Sequence, residues 1–390
     1  GLSEMKVVNI ALNGLYTDGF TYHENLLPKY HKKNGYEVHI IASEYIYNQN
    51  GQEEKYKGPK EYIDENGIYI HRLPVKKDRK ISYRFKRFEG VYELLEKIQP
   101  DIIFCHLFQF IDIKEIVRYK KEHKYIKLYL DNHSDFFNSA HNWISKYILH
   151  GLIWRYYAQK ALPFIEKFYG VLPARVEFAR KVYGITNDKL ELLVMGADDE
   201  LVKKASAPEV RANVRKKNNI QVTDFLIMTG GKINQYRPET LNLMKAVKQM
   251  ETTNIKLLIF GSVDESLKEE FDALCEVSNI SYVGWLKSDE TYDYIAAADL
   301  MVFPGLHSVM WEQSVAQGIP CIFRKIAGVT HVDLGGNAMF LSDTSVEELM
   351  KCIKKIKDNP EYYNQMKLVA QEKGLKTFSY MSIAKKSISE

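Results

Sequence analysis

The sequence predicts an α/β protein with two domains, each built on a parallel β-sheet that helices cover on both faces. Short apolar runs bounded by Gly, Pro and Asn alternate with helical segments along most of the chain. This order is typical of parallel sheets with crossover helices. The alternation fills the first half and starts again after about residue 200, and 390 residues are enough for two such domains with full cores.

Composition and charge argue against several classes of protein. Hydrophobic residues make up 45% of the chain and charged residues 27%, and no apolar run approaches the roughly 18 residues of a membrane span. The N-terminus lacks the layout of a signal peptide, so we expect a cytoplasmic protein, with the inner face of the cell membrane as a peripheral location. The four cysteines are far apart and are expected to be reduced. The net charge is only +4, but residues 1–190 hold 30 Lys and Arg against 23 Asp and Glu. Without a nucleic-acid motif, this basic excess favours an anionic membrane or an acidic substrate over nucleic acid.

The first domain begins with a strand at 6–11, a helix at 25–33 and a second strand at 35–42. The glycines between the first strand and the helix do not form Gly-x-Gly-x-x-Gly, which argues against NAD binding. Residues 44–75 are polar and are expected to form a loop excursion with a hairpin at 62–73.

Two further strands, 100–106 and 126–133, each end in a histidine. His106 and His133 are therefore expected at the carboxyl edge of the sheet, where ligands bind in open α/β sheets. A structural role is the alternative for both. The aromatic segment 142–168 is expected to be a core helix, with a membrane anchor as the alternative.

Residues 76–88 combine seven basic residues with four apolar or aromatic ones. Arg84, Lys86 and Arg87 are the candidates for contact with an anionic membrane or an acidic acceptor, because basic charge interleaved with aromatic rings suits that surface. A solvated loop that packs its aromatic residues is the alternative.

The second half repeats the strand and helix alternation. Strands are predicted at 224–232, 255–260, 280–284, 300–303 and 321–323, with helices at 238–250, 265–276 and 289–298.

The most informative stretch is 299–323, where an apolar strand ends at a loop and a helix opens. Ser308 is expected to cap this helix, and Gly318 with Pro320 to close it. Glu312 falls in the first turn, where its charge suits the helix dipole. A surface glutamate that only stabilises the helix is the alternative to a ligand contact.

The segment 312–320, Glu-Gln-Ser-Val-Ala-Gln-Gly-Ile-Pro, resembles the Glu-Ala-x-Ala-x-Gly-x-Pro signature of the retaining, nucleotide-sugar-dependent glycosyltransferases of family 4. That family has the GT-B fold, in which two Rossmann-like domains face a central cleft. The resemblance implies domains at 1–199 and 200–375, with a closing helix at 376–390 that crosses back to the first domain. One departure is Pro304, which stands where the family carries another Glu.

The resemblance also implies which residues bind the donor. Glu312 would hold the ribose hydroxyls, and the backbone of the preceding loop would contact the transferred sugar and phosphate. Gly19 matches part of a loop that faces the donor phosphates, and the loop after 283 would edge the base. The implied donor-binding residues are Glu312, His307, Ser308, Val309, Gly19, Gly231, Trp285 and Leu286. A plain core role is the alternative for Trp285.

The catalytic residues implied by the resemblance are His133, Lys232 and Arg237. Lys232 and Arg237 resemble the family's pair of cations that clamp the diphosphate, with Lys and Arg exchanged. No Asp-x-Asp or His-Glu-x-x-His occurs, so no metal and no cofactor are expected.

We therefore expect a metal-independent hexosyltransferase that moves a sugar from a nucleotide-diphosphate donor, expected to be a UDP-sugar, to a surface-glycan or lipid-linked acceptor. Two alternatives stay open. One is a nucleotide-sugar epimerase or phosphorylase of the same fold, and the other is a non-catalytic protein that binds sugar nucleotides.

Overall fold

The computed structural model describes residues 5–76, 87–133, 148–234, 238–251 and 254–389. The chain divides into two compact units: unit 1 is Gly1–Val194 with Tyr380–Glu390, and unit 2 is Met195–Ser379. Each unit is an α/β layer structure on a largely parallel sheet, so the predicted fold class is confirmed.

In unit 1, the first strand lies in the interior of the main sheet. The strands, in chain order, are β1 (Lys6–Ala11), β2 (Glu37–Ser43), β3 (Tyr45–Tyr47), β4 (Glu53–Lys55), β5 (Glu61–Ile63), β6 (Tyr69–Leu73), β7 (Ile102–Cys105), β8 (Lys127–Asn132), β9 (Lys167–Gly170) and β10 (Leu190–Leu192). In the described residues the main sheet has the order β10-β9-β8-β7-β1-β2-β6-β5. Its neighbours are parallel except for β5 and β6.

The hairpin predicted at 62–73 is present as β5 and β6, but it is not a separate excursion. β6 also pairs in parallel with β2, so it extends the main sheet. Ile70 is fully buried in the core of that sheet face, which explains why the strand joins the sheet.

The helices of both units are numbered together along the described residues. They are α1 (His23–Lys33), α2 (Val91–Ile98), α3 (Ile113–Glu122), α4 (Arg155–Ala161), α5 (Pro173–Val182), α6 (Asp199–Ala205), α7 (Pro208–Lys217), α8 (Glu239–Lys248), α9 (Glu265–Leu274), α10 (Ser288–Ala297), α11 (Met310–Ala316), α12 (Val346–Lys357), α13 (Pro360–Phe378) and α14 (Tyr380–Ser387). The aromatic segment predicted as one core helix is described only from residue 148, as a π-helix (Leu149–Trp154) that leads into α4. None of the described helices is both long and apolar enough to span a membrane.

The end of the chain packs in unit 1. Tyr380, Ile383 and Ala384 of α14 are buried in one apolar cluster with Leu27 of α1. His31 Nε2 lies 2.8 Å from Ser387 Oγ. The helix that packs in unit 1 therefore begins at Tyr380, four residues after the start of the closing helix predicted at 376–390.

The residues just before α14 are held in unit 2. The Ala197 N–H donates to the Phe378 carbonyl at 2.8 Å, and Asp198 caps α6 by accepting from the Glu200 N–H. These two contacts explain why the division lies at 194/195, five residues before the predicted boundary.

Unit 2 has a wholly parallel sheet in the described residues. Its strands are β11 (Phe225–Ile233), β12 (Ile255–Val263), β13 (Ile280–Gly284), β14 (Leu300–Phe303), β15 (Cys321–Arg324) and β16 (Ala338–Leu341). The order is β13-β12-β11-β14-β15-β16. The chain leaves β11 in one direction and returns on its other side at β14, so the order reverses between these two strands. Ligands in open α/β sheets bind at such a reversal.

Helix α13 packs against α11 at Gly374. A Cβ at this glycine would lie 2.0 Å from the carbonyl oxygen of Val315. In a helix interior, alanine normally stabilises by about 1 kcal/mol relative to glycine.

We expect Gly374→Ala to reverse that preference and to destabilise the protein by about 1–3 kcal/mol, because α13 must move away from α11. Chemical denaturation measures this change. Lys376→Ala, at an exposed position of the same helix, is the matched control. Unchanged stability of Gly374→Ala would contradict the packing of α11 on α13.

Candidate functional site

The loop after β14 leads directly into α11, and its backbone differs from the prediction at the helix start. Val309, not Ser308, is the N-cap residue, and no side-chain cap is made. Ser308 instead accepts a hydrogen bond from the Trp311 N–H through its carbonyl, at 3.0 Å. The predicted capping role of the Ser308 hydroxyl is therefore wrong, since the turn is closed by backbone bonds alone. Gly318 ends the helix with a φ of 76°, as predicted.

Glu312 is fully buried, which rules out the alternative of a surface glutamate. His307 Nε2 lies 2.6 Å and His331 Nε2 lies 2.7 Å from the same oxygen, Oε1. Burial alone would raise the pKa of Glu312, but the charges of the two histidines and their hydrogen bonds lower it to about 2. Glu312 is therefore an ionised, buried carboxylate.

The second oxygen of Glu312, Oε2, is the one whose hydrogen-bonding capacity is unused by the described residues. Oε2 is buried and has no hydrogen-bond partner within the described part of the chain. A buried acceptor without a partner is costly, so a ligand hydroxyl that donates to Oε2 would be bound favourably. The two short N–O separations are hydrogen-bond lengths, and the two histidines fix the carboxylate in one orientation.

A small cavity of about 40 Å³ lies between the carboxyl ends of β11 and β14. Its lining includes Gly231, Lys232, Glu239, Gly305 and Ser308. Lys232 is exposed at the end of β11 and brings a positive charge to this edge of the sheet. Arg237, the second predicted cation, lies outside the described residues.

Gly231 and its strand neighbour Gly261 approach each other closely. Gly231 has a φ of 130° and Gly261 a φ of 119°, in a region that favours glycine. A Cβ at Gly261 would lie 1.9 Å from the carbonyl oxygen of Gly231. A side chain at position 261 would therefore displace the backbone at Gly231, which is part of the predicted diphosphate site.

Glu239 also lines this cavity, and no motif in the sequence pointed to it. Its Oε1 accepts from the Arg324 guanidinium at 3.2 Å, whereas Oε2 is buried without a hydrogen-bond partner in the described residues. A larger cavity of about 390 Å³ lies elsewhere in unit 2, next to α6 and α13. There, Arg211 is already bonded to Asp299, at 2.6 Å, so we place the candidate site at the smaller one.

Trp285 is 73% exposed, so the alternative of a core residue is wrong. It follows Gly284, which has a φ of 81° and turns the chain out of β13. Leu286 is half-buried in the same loop. No described contact joins either residue to Glu312.

In unit 1, His133 lies in a cluster with His106, which was also predicted at this edge of the sheet, and with His23, which was not. Asp131 is fully buried, and its Oδ2 faces His133 Nε2 at 3.2 Å, His23 Nε2 at 3.6 Å and His106 Nδ1 at 3.8 Å. Burial lowers the pKa of His106 to about 4 and that of His23 below its ordinary value. Burial would raise the pKa of Asp131, but the histidines, His133 first, lower it.

Gly19 lies in an open loop with a φ of 82° and has free space around its Cα. Its neighbour Asp18 is tied down, since the Tyr62 hydroxyl donates to it at 2.5 Å and Arg72 lies 3.6 Å away. Glu24 lies beside Gly14, where an added Cβ would be 3.2 Å from its carboxylate oxygens. Burial, together with the charge of Asp131, raises the pKa of Glu24 to about 7.

Of the predicted membrane-contact residues, Arg84 and Lys86 lie outside the described residues. Arg87 is described: its side chain is half-buried, and its carbonyl accepts from the Lys76 N–H at 3.2 Å.

Solved structures with a similar fold cover almost the whole chain. HepE of Anabaena, in complex with UDP-glucose, is 12% identical over 99% of both chains with a TM-score of 0.66. WaaG, a glycosyltransferase involved in lipopolysaccharide biosynthesis, is 14% identical over 98% of both chains, with a TM-score of 0.64. A putative UDP-N-acetylglucosamine 2-epimerase from Listeria monocytogenes is 12% identical over 98% of this chain and 94% of that one, with a TM-score of 0.61. At these identities the similarity shows the fold alone.

Two family models match the sequence itself. Residues 21–201 match the model described as Glycosyltransferase Family 4, and residues 224–359 match the one described as Glycosyl transferases group 1. A search of curated protein sequences found no match. Together the two matches cover most of the chain and reach into both units. The chain belongs to the glycosyltransferases with the GT-B fold.

Proposed function

We propose that this protein is a retaining glycosyltransferase of the family 4 type that transfers a sugar from a UDP-sugar to a surface-glycan or lipid-linked acceptor. The observation that carries the proposal is the buried, ionised Glu312, whose Oε1 is held by two histidines and whose Oε2 has no protein partner in the described residues. A ribose hydroxyl supplies the donor that this oxygen lacks. HepE, a protein of similar fold, was solved with UDP-glucose, which supports UDP as the nucleotide.

The diphosphate is proposed to bind at the carboxyl end of β11, next to Lys232 and Arg237. When the sugar leaves, negative charge builds up on the diphosphate, and cations fixed in advance stabilise that charge more than they stabilise the ground state. With these cations and the loop N–H groups of 307–309, no metal is needed at the diphosphate. Addition of Mg²⁺ or Mn²⁺ is therefore not expected to raise the rate of transfer.

Retention is proposed to follow from attack on the face that the diphosphate leaves, with the leaving phosphate taking the proton of the acceptor. This step needs no basic side chain. His133 is proposed to contact the donor sugar or phosphate.

The experiment that tests this function is incubation of the purified protein with a panel of labelled nucleotide-sugars and extracted lipid acceptors. Labelled sugar in the lipid fraction supports transfer. An epimerised donor would identify an epimerase instead, and donor that binds but stays unchanged with every acceptor would identify a non-catalytic binding protein.

The segment 76–88 is proposed to hold the protein on an anionic membrane surface, where a lipid-linked acceptor lies. We expect the triple change of Arg84, Lys86 and Arg87 to Ser to weaken vesicle binding tenfold or more, since each basic residue contributes about 1 kcal/mol near such a surface. Co-sedimentation with phosphatidylserine vesicles measures this. The change of Lys354, Lys355 and Lys357 in α12 to Ser removes the same charge elsewhere and is the control. Equal loss in both variants, or no binding by the wild type, would contradict a role for the segment.

A further inference from the structure

Three side chains of unit 1 come together at the carboxyl edge of its sheet, although they are distant in sequence. His23 is the first residue of α1, Asp131 lies in β8, and His133 follows that strand. One ligand atom from each lies within 4.8 Å of the others. The side chains of His23 and Asp131 are 3% and 0% exposed, so these two ligands are shielded from water.

Hydrogen-bond directions fix the protonation pattern beside this group. The Ser387 hydroxyl donates to the Ala384 carbonyl at 2.7 Å, so its oxygen must accept from His31 Nε2 at 2.8 Å. His31 Nδ1 then accepts from the Asn9 amide nitrogen at 3.1 Å.

The side-chain oxygen of Asn9 accepts a hydrogen bond from His106 Nε2 at 2.9 Å. In a neutral His106, Nδ1 then carries no proton and presents a lone pair. This lone pair faces Asp131 Oδ2.

The arrangement is unfavourable as it stands. His106 Nδ1 and His23 Nε2 are buried and have no hydrogen-bond partner among the described residues, and both point at a carboxylate oxygen, 3.8 Å and 3.6 Å away. A buried lone pair opposite a buried carboxylate calls for a positive charge between them. The Leu107 N–H occupies the other oxygen, Oδ1, at 2.6 Å.

We propose that His23, Asp131 and His133 form a binding site for a divalent transition-metal cation of the zinc type, with His106 beside it as a fourth nitrogen. Imidazole nitrogen and carboxylate oxygen bind zinc at about 2.0–2.2 Å, so the ligand atoms of a tetrahedral ion lie about 3.3 Å apart. The separations from Oδ2 are 3.2, 3.6 and 3.8 Å and bracket that value.

The outer contacts also fit a metal site. Histidines that bind metals usually donate their other ring N–H to a protein group, which fixes the ring. His106 does so to Asn9, and His23 Nδ1 lies 2.9 Å from the Tyr380 hydroxyl. Tyr380 and Ser387 both belong to α14, so the ion would link the last helix to the sheet.

This site shares His133 with the proposed donor contact, but its test does not depend on the transfer reaction. The cations proposed for the diphosphate belong to unit 2, and metal binding to unit 1 is measured without donor or acceptor. These ligands form no sequence motif, because they come from α1 and from the end of β8, which are about 100 residues apart in the chain.

The test is titration of the full chain, free of affinity tags and dialysed against a chelator, with Zn²⁺ alone. We expect one zinc per chain by calorimetry, a rise in melting temperature with zinc, and the visible absorption of tetrahedral Co²⁺ when cobalt replaces it. His23→Gln and Asp131→Asn are each expected to lower zinc affinity at least tenfold. The double change His39→Gln and His71→Gln is the control, since those rings already bond to each other at 2.9 Å, and it should bind zinc like the wild type.

Absence of stoichiometric zinc binding by the wild type would overturn the proposal, as would equal affinity in His23→Gln. If a variant fails to fold, the cobalt spectrum of the wild type decides: an octahedral spectrum or none contradicts the site.

Discussion

Replacement of Lys232 by alanine is expected to lower kcat by roughly 10²–10³, the range for loss of one fixed donor to a developing charge. Lys232 stands at the end of β11, beside the small cavity between β11 and β14. Its charge is needed most when the sugar–phosphate bond breaks, because the leaving diphosphate is then most negative. The affinity for the donor in the ground state should fall less than kcat. Arg237→Ala is expected to behave in the same way.

Single-turnover kinetics with a labelled donor separate the chemical step from binding. Lys268→Ala, which removes an exposed lysine of α9, is the matched control and should leave kcat unchanged. If Lys232→Ala turns over at the wild-type rate, the charge at the end of β11 does not act on the leaving group.

Glu312→Ala is expected to weaken UDP binding by roughly 10–150-fold, the equivalent of about 1.5–3 kcal/mol for a hydrogen bond to a charged group. The carboxylate is fully buried, and Oε2 is the acceptor left over for a ribose hydroxyl. Calorimetric titration with UDP measures the loss.

Glu312→Gln separates binding from folding. The glutamine carbonyl can accept from His307 and His331 as Oε1 does, while its amide places a donor where Oε2 stood. This variant should be less destabilised than Glu312→Ala, because the two hydrogen bonds to the histidines remain, but it should bind UDP as weakly as Glu312→Ala does. UDP affinity equal to wild type in both variants would mean that Glu312 only holds the two histidines and α11 in place.

The sequence predicted the architecture well because a parallel sheet leaves a clear pattern. Buried runs such as 300–303 are apolar on both faces, and glycine at 318 can end a helix where other residues are strained. The hairpin at 62–73 was found, but its pairing with β2 was not, because partners far apart in the chain leave no local signal.

The site was predictable only in part. Glu312 stood out by its position in the helix and by resemblance, whereas His331, which bonds to it, follows β15 in a loop without a motif. Gly261 matters because it meets Gly231 across two strands, and that contact depends on the register between β11 and β12. The Ser308 cap was wrong because a side-chain cap and a backbone turn fit the same local sequence.

The central claim is that the protein moves a sugar from a UDP-sugar to an acceptor with retained configuration. The most direct test is NMR analysis of the new glycosidic bond, made with the donor found active in the panel and a purified lipid acceptor. The account predicts a product with the same anomeric configuration as the donor, and loss of that product in Lys232→Ala. A product of inverted configuration, or conversion of the UDP-sugar without transfer, would contradict it.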